Sequence, residues 1–294
     1  MKTNISIFAK PAYLNVHASQ PFKYEGKPPE QGYLKRVSSV IRGEQIANFI
    51  GAKFNPTEGY QNDVCIYVKP PYKLGQDFLF EGRKSYLDIC DAPGFYELLK
   101  KHPEVGVISA SVWSYKILKK TLPNEIVNIP EHHCNFKRVR RVRKQITTVG
   151  CIGHPHALTY LPQGLKEQLA QRRMKLIEFS RFFTRADVID FYMKIDIQII
   201  WRPYRDHRKH KLLNPLKIVN ASSFGIPTIA YQEENFGEMK GCYIPVQTLD
   251  EFFTELDKLK SNSKLYNQYA KRCIEKSEDY HIEKIAQLYR DLAS

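Results

Sequence analysis

The run Arg202-Pro-Tyr-Arg205-Asp-His-Arg-Lys-His-Lys211 follows directly on a strongly apolar stretch over residues 195–201. A short apolar run reads as a buried strand, and cations gathered at its end suit an anionic ligand. Asn214-Pro215 come next, with Asn214 placed to cap a helix over 216–223 and Pro215 placed to open it. A helix N-terminus beside Arg202, Arg205 and Lys217 joins the positive end of a dipole to N–H groups without intrahelical acceptors. Diphosphate is the ligand chemistry that fits; a solvated basic loop is the alternative. A second apolar run, 147–152, ends in Gly153-His154-Pro155. Glycine at a strand end lets backbone N–H groups approach an anion closely, with a plain turn glycine as the alternative. Neither a GxGxxG fingerprint nor a Walker A lysine motif is present.

Two other clusters invite chemistry. Residues 137–144 read KRVRRVRK, six cations in eight positions. This is a solvated linker or helix face, or a surface for acidic membrane or nucleic acid phosphates. His132-His133-Cys134 is the nearest approach to a metal-ligand cluster, and no second cluster completes a tetrahedral site, so no metal is expected.

These groups need elements to hold them. Short apolar runs predict strands over 5–9, 63–68, 86–90, 105–109 and 125–129. Helical spacing predicts helices over 34–50, closed by Gly51, and over 95–101 and 114–120, while residues 10–32 read as a long loop. After the basic stretch the alternation restarts, with strands over 147–152, 175–179, 195–201 and 227–230. Helices are expected over 163–171, 185–193, 216–223, 249–259 and 263–292. Apolar strands alternating with helices mean parallel βαβ units. The expectation is two Rossmann-like α/β domains facing a central cleft, residues 1–136 and 147–294, joined by a basic linker at 137–146. The cleft is the default ligand site.

Length and charge set the outer bounds. The 294 residues, 43% hydrophobic and 26% charged, are enough for about two globular domains and exclude collagen, coiled coil and wholesale disorder. No apolar run approaches the roughly 18–20 residues that span a bilayer, and the N-terminal residues do not read as a signal peptide. Six widely spaced cysteines without a CxxC pair suggest reduced, mostly buried thiols and a cytoplasmic protein. The net charge of +14 is uneven: residues 1–146 carry +10 and residues 147–294 carry +4. Such a chain attracts polyanions, whether nucleic acid, acidic membrane or phosphorylated small molecules.

The stretch 213–230, LNPLKIVNASSFGIPTIA, resembles the nucleotide-sugar-binding segment of GT-B-fold glycosyltransferases, in the manner of families one and four. Lys217, Asn220, Ala221, Gly225 and Pro227 match that segment in order and spacing. Glu233-Glu234-Asn-Phe is similar to the variable loop after its strand, 187–201 to the helix and strand before it, and 128–133 to the exit from the first domain. The resemblance covers about 147–290. It implies transfer of a sugar from a nucleotide-sugar donor, a UDP- or GDP-sugar, without an obligatory metal. It places the donor in the second domain and the acceptor, a glycan, lipid-linked or polyanionic molecule, in the first, and leaves room for peripheral membrane contact. The final helix would pack back toward the first domain.

Implied donor contacts are Arg202, Arg205 and Lys217 with the backbone at Asn214, Gly153 and His154 opposite, Asn220 and Ser222 for hydroxyls, and Phe183, beside Phe182 and Thr184, for the base. A general base for the acceptor hydroxyl is sought at His17, after the first strand, or at Asp91, near a strand end and equally suited to a turn cap. Many retaining members carry two glutamates with seven residues between them; here those positions hold Leu212 and Asn220, which leaves the stereochemistry open. A basic nucleic-acid or polyanion-binding protein, and a catalytically degenerate glycosyltransferase-like binding protein, are the alternative readings.

Overall fold

A computed structural model of the chain describes residues 4–10, 37–73, 75–141, 143, 145–180, 184–203 and 212–294. The chain divides into two units: Met1–His132 with Asp206–Asn214 and Ile282–Ser294, and His133–Arg205 with Pro215–His281.

The first unit holds six strands: β1 Ile5–Ala9, β2 Lys53–Phe54, β3 Val64–Val68, β4 Lys84–Cys90, β5 Gly106–Ser109 and β6 Ile126–Asn128. All pair in parallel, in the order β2-β1-β3-β4-β5-β6. β3 and β5 are buried at every position, which is why they read as unbroken apolar runs. Gly106 opens β5 because a Cβ there would lie 2.3 Å from the Tyr86 ring of β4.

The helix expected over 34–50 is described from residue 37. It contains a π-helical turn, Ser39–Glu44, before the α-helix Gln45–Ile50, which Gly51 ends at φ 72°. The π turn carries Arg42, whose Nε donates to Asp88 Oδ2 at 2.6 Å and whose Nη2 donates to the Ile129 carbonyl at 2.9 Å. Tyr289 on the terminal helix Ile282–Asp291 donates to the same Asp88 oxygen at 3.2 Å. Arg42 and Asp88 are both completely buried, so a charged pair ties β4, the π turn and the last helix of this unit together.

The second unit holds β7 Thr148–Ile152, β8 Lys175–Phe179, β9 Ile197–Ile200, β10 Thr228–Tyr231 and β11 Tyr243–Val246, all parallel, in the order β11-β10-β9-β7-β8. Counted within the unit, this is the doubly wound order 2-1-3-4-5, with its switch point between β7 and β9. Gly150 of β7 makes room for Ile195, whose Cγ2 would lie 2.3 Å from an added Cβ. Capping boxes start two helices: Thr184 with Asp187 opens Arg185–Lys194, and Thr248 with Glu251 opens Leu249–Ser261.

Three expectations change. The helix expected over 263–292 is interrupted: Ser263–Ser277 runs into a 3₁₀ turn, Glu278–Tyr280, and His281 is extended at φ −69°, ψ 144°. Apolar periodicity carries across such a short break. Strands β2 and β11 were not expected: β2 is two residues long, and β11 holds Pro245, tolerated because β11 is an edge strand.

The basic stretch, expected as a solvated or polyanion-facing charge, is partly internal. Arg141 and Arg143 reach Asp196 Oδ1 at 3.3 and 3.4 Å, and both donate to the Ile195 carbonyl. The other Asp196 oxygen accepts the Thr147 and Thr148 N–H groups at 2.8 and 3.0 Å. Arg138 pairs with Glu278 at 3.1 Å. These three arginines fasten the stretch to its own unit. All six cysteines are free thiols. No helix among the described residues is long and apolar enough to cross a membrane.

Candidate anion-binding site

At the switch point of the second unit, the carboxyl ends of β7, β9 and β10 bring Gly153, Arg202 and Glu233 together. Lys217 joins them from the first turn of the helix Leu216–Ser223. Gly153 matters for its missing side chain: a Cβ there would lie 2.7 Å from the Lys217 Nζ. Arg202 faces Glu233 in a bidentate pair, Nε to Oε1 and Nη2 to Oε2, both at 2.8 Å. Its guanidinium also lies 5.4 Å from the Phe236 ring centre. The Arg202–Glu233 pair is neutral as a unit, so the uncompensated charge of the cluster sits on Lys217. No hydrogen bond joins the Lys217 ammonium to any described residue. Burial, and after it the charge of Arg202, lower its pKa to about 8. Burial raises the Glu233 carboxyl in spite of Arg202 beside it.

The turn that carries Lys217 is pinned from beneath. Gln198 of β9, fully buried, donates to the Lys217 carbonyl at 3.0 Å and to the Thr228 hydroxyl at 3.2 Å, and accepts from the Tyr192 hydroxyl at 3.0 Å. Each polar atom of the amide is thereby used, and the helix start is held against the sheet. An ammonium so placed, beside the positive end of a helix and with an open glycine in front, can bind an anion of phosphate type.

Other expected contacts sit differently. Gly153 does not turn its N–H to a ligand, since it donates to the Phe179 carbonyl at 3.0 Å. His154 caps the one-turn helix Pro155–Leu158, its Nδ1 accepting the His156 N–H at 3.3 Å. Pro215, not Asn214, occupies the cap position of Leu216–Ser223, and no side chain caps it. Asn220 is turned inward: its Oδ1 accepts the Cys134 N–H at 2.8 Å and clamps the segment after His133 to the helix. Ser222 is fully buried beside Cys273 and is out of reach of a ligand. Thr184 is a helix cap. In the first unit, Asp91 is held by Lys69 at 2.5 Å. His17, Phe182, Phe183 and Arg205 lie outside the described residues. Glu233 and Gln198 were not marked in the sequence as site residues; an acid just past a strand end, and a lone glutamine inside an apolar strand, were the available signals.

No protein-family model matches the sequence, and no curated protein matches it. Solved structures do. A glycosyltransferase from Rickettsia africae superimposes over 100% of this chain and 98% of its own, at TM-score 0.59 and 10% identity. The chain has a GT-B fold. HepE of Anabaena, solved with UDP and glucose, matches 71% of each chain at TM-score 0.52 and 14% identity. TarM matches 79% of this chain and 54% of its own, at TM-score 0.54 and 13% identity. The GT-B fold agrees with the α/β architecture and the resemblance drawn from residues 213–230.

Proposed function

We propose that the chain is a glycosyltransferase that takes a sugar from a nucleotide-activated donor. The second unit binds the donor through its diphosphate, and the first unit binds the acceptor. The carrying observation is the Lys217 ammonium, facing Gly153 without a partner among the described residues, at the switch point of a GT-B fold. Glycosyl transfer places negative charge on the departing diphosphate, and a preorganised cation beside a helix N-terminus is suited to stabilise it. Lys217 supplies that charge, Arg202 with Glu233 positions it, and the step uses no metal. HepE was solved with UDP-glucose, which makes a UDP-sugar the first donor to try.

The test is calorimetric binding of UDP, GDP and ADP, with and without EDTA, to wild type and to Lys217→Ala. One nucleoside diphosphate should bind in EDTA, and the variant should bind it about 10–150-fold more weakly, as expected for a hydrogen bond to a charged group. No binding at millimolar concentration of any of the three would reject the reading.

A further inference from the structure

The crossover from β3 to β4 in the first unit has no helix among its described residues, 69–73 and 75–83. It is a strap of irregular chain laid on one face of the sheet, and side chains hold it there. Phe78 and Phe80 each meet the Tyr67 ring of β3 edge-on, with ring centres 5.3 and 5.4 Å away, and Tyr67 stacks on Phe8 of β1 at 5.0 Å. The Tyr67 hydroxyl accepts the Glu81 N–H at 2.9 Å and donates to the Glu81 carbonyl at 3.2 Å, and the Tyr60 hydroxyl donates to the Glu81 carboxylate at 2.6 Å. Backbone bonds within the strap add little: Gln76 donates to the Lys73 carbonyl at 3.1 Å. A segment held by a few side-chain contacts, with Leu79 76% exposed, opens more easily than the strands beneath it.

One hold on this strap depends on a proton. His102 ends the helix Tyr96–Lys101, its N–H bonded to the Leu99 carbonyl at 3.2 Å and its own carbonyl accepting from Asn124 Nδ2 at 2.8 Å, so the ring stands on a fixed base. Its Nε2 lies 2.8 Å from Asp77 Oδ1 of the strap, and its Nδ1 lies 3.0 Å from Glu104 Oε1. The same Asp77 oxygen accepts the Phe78 N–H at 2.9 Å, and the Phe80 ring meets the imidazole edge-on at 5.2 Å. A carboxylate only accepts hydrogen bonds, so both ring nitrogens must donate, and an imidazole that donates from both is the charged imidazolium. Asp77 faces the ring from the strap and Glu104 from the turn after the helix. Lys101 lies near Asp77, and Asn124, from the loop before β6, brings a neutral amide. The hydrogen bond to Asp77 raises the His102 pKa, partial burial opposes the rise, and Glu104 adds to it.

We infer that His102 is a proton-operated clamp on the β3–β4 crossover, holding the strap to the sheet when charged and letting it loosen when neutral. A neutral imidazole has one N–H for two carboxylates, so loss of the proton leaves one of the two contacts without a donor. The docked strap binds this proton more tightly than the open one, so raising the pH shifts the balance toward the open form. The clamp is complete below about 6.5, the ordinary histidine value, and is lost as pH rises through the raised one. The tyrosines that hold Glu81 stay uncharged throughout, since Tyr60 and Tyr67 are both raised above the ordinary phenol value. The strap therefore remains anchored at Glu81 and loosens toward Asp77. The clamp lies within the first unit and is independent of the donor reading.

The experiment uses the full chain as wild type, His102→Gln and Asp77→Asn. Hydrogen exchange over residues 75–82 is followed by mass spectrometry from about pH 5.5 to 8.5 and corrected for the pH dependence of the chemical exchange rate. Wild-type protection of this segment should fall about fivefold across the range, the scale that two exposed ion pairs supply, while β3 and β4 stay unchanged. Both variants should be flat. Asp77→Asn alters an exposed side chain and keeps the test decisive where His102→Gln does not fold. Imidazole proton resonances give a second reading: the one missing in His102→Gln should titrate above about 6.5 in wild type and move down toward that value in Asp77→Asn. Protection over 75–82 that is flat in wild type, or that falls as much in Asp77→Asn, would overturn the inference, as would a His102 resonance titrating at or below about 6.5 in wild type.

Discussion

Lys217→Met should make the protein more stable and its anion binding weaker, and pH should separate the two effects. With a pKa of about 8 in the free protein, about 90% of the Lys217 amine is charged at pH 7 and about 10% at pH 9. Only the charged form grips a diphosphate, so apparent affinity falls with the charged fraction. UDP should therefore bind wild type about tenfold more weakly at pH 9 than at pH 7. Lys217→Met should bind about 10–150-fold more weakly than wild type at pH 7 and show no slope between pH 7 and 9.

Stability runs in the opposite sense. The unfolded lysine titrates near 10.4, well above the folded value, so between about 8 and 10.4 the unfolded chain holds more protons. The wild type should gain stability as pH rises through that window, with no change from this group below it. Removing the amine at pH 7 removes the cost of burying its charge, so the Tm of Lys217→Met should rise. Calorimetry at pH 7, 8 and 9 with parallel thermal melts reads both. A wild-type affinity flat over that range, or a variant with the same slope as wild type, would refute the assignment of Lys217 as the anion's partner.

Three further substitutions probe the frame. Gly153→Ala adds a Cβ that would lie 2.7 Å from the Lys217 Nζ. The lysine tip is flexible and can move, so stability should change by less than about 0.5 kcal/mol, while UDP affinity falls roughly fivefold as about 1 kcal/mol of contact is lost. Gly106→Ala should cost about 1–3 kcal/mol in urea unfolding, because its Cβ meets the Tyr86 ring inside the sheet and nothing there can yield cheaply. Arg42→Ala should cost about 3–5 kcal/mol, since it leaves Asp88 charged and fully buried without its partner. The double variant Arg42→Met with Asp88→Leu should recover much of that loss.

The inner strands of both sheets were legible because a parallel sheet covered on both faces demands apolar residues at successive positions, as in Val64–Val68 and Ile197–Ile200, while the short β2 and the edge strand β11 were not. The π turn at Ser39–Glu44 and the break at His281 left no such trace. A single π turn shifts the helical repeat by only about one residue, and the apolar stripe of Ser263–Ser277 resumes in Ile282–Asp291 after only a short interruption. At the candidate site, Lys217 and Gly153 were legible from their places at a helix start and a strand end. Asn220 occupies an equally suggestive position, yet its amide is bonded to Cys134, a residue far away in sequence. Composition likewise overstated the free charge of residues 137–144, because the acids that pair with Arg138, Arg141 and Arg143 lie more than fifty residues further on. A side chain's chemical capacity is written in its type, but whether that capacity remains available is decided by partners that only the fold assembles. Lys217, which has no hydrogen-bond partner among the described residues, is therefore the group to mutate first.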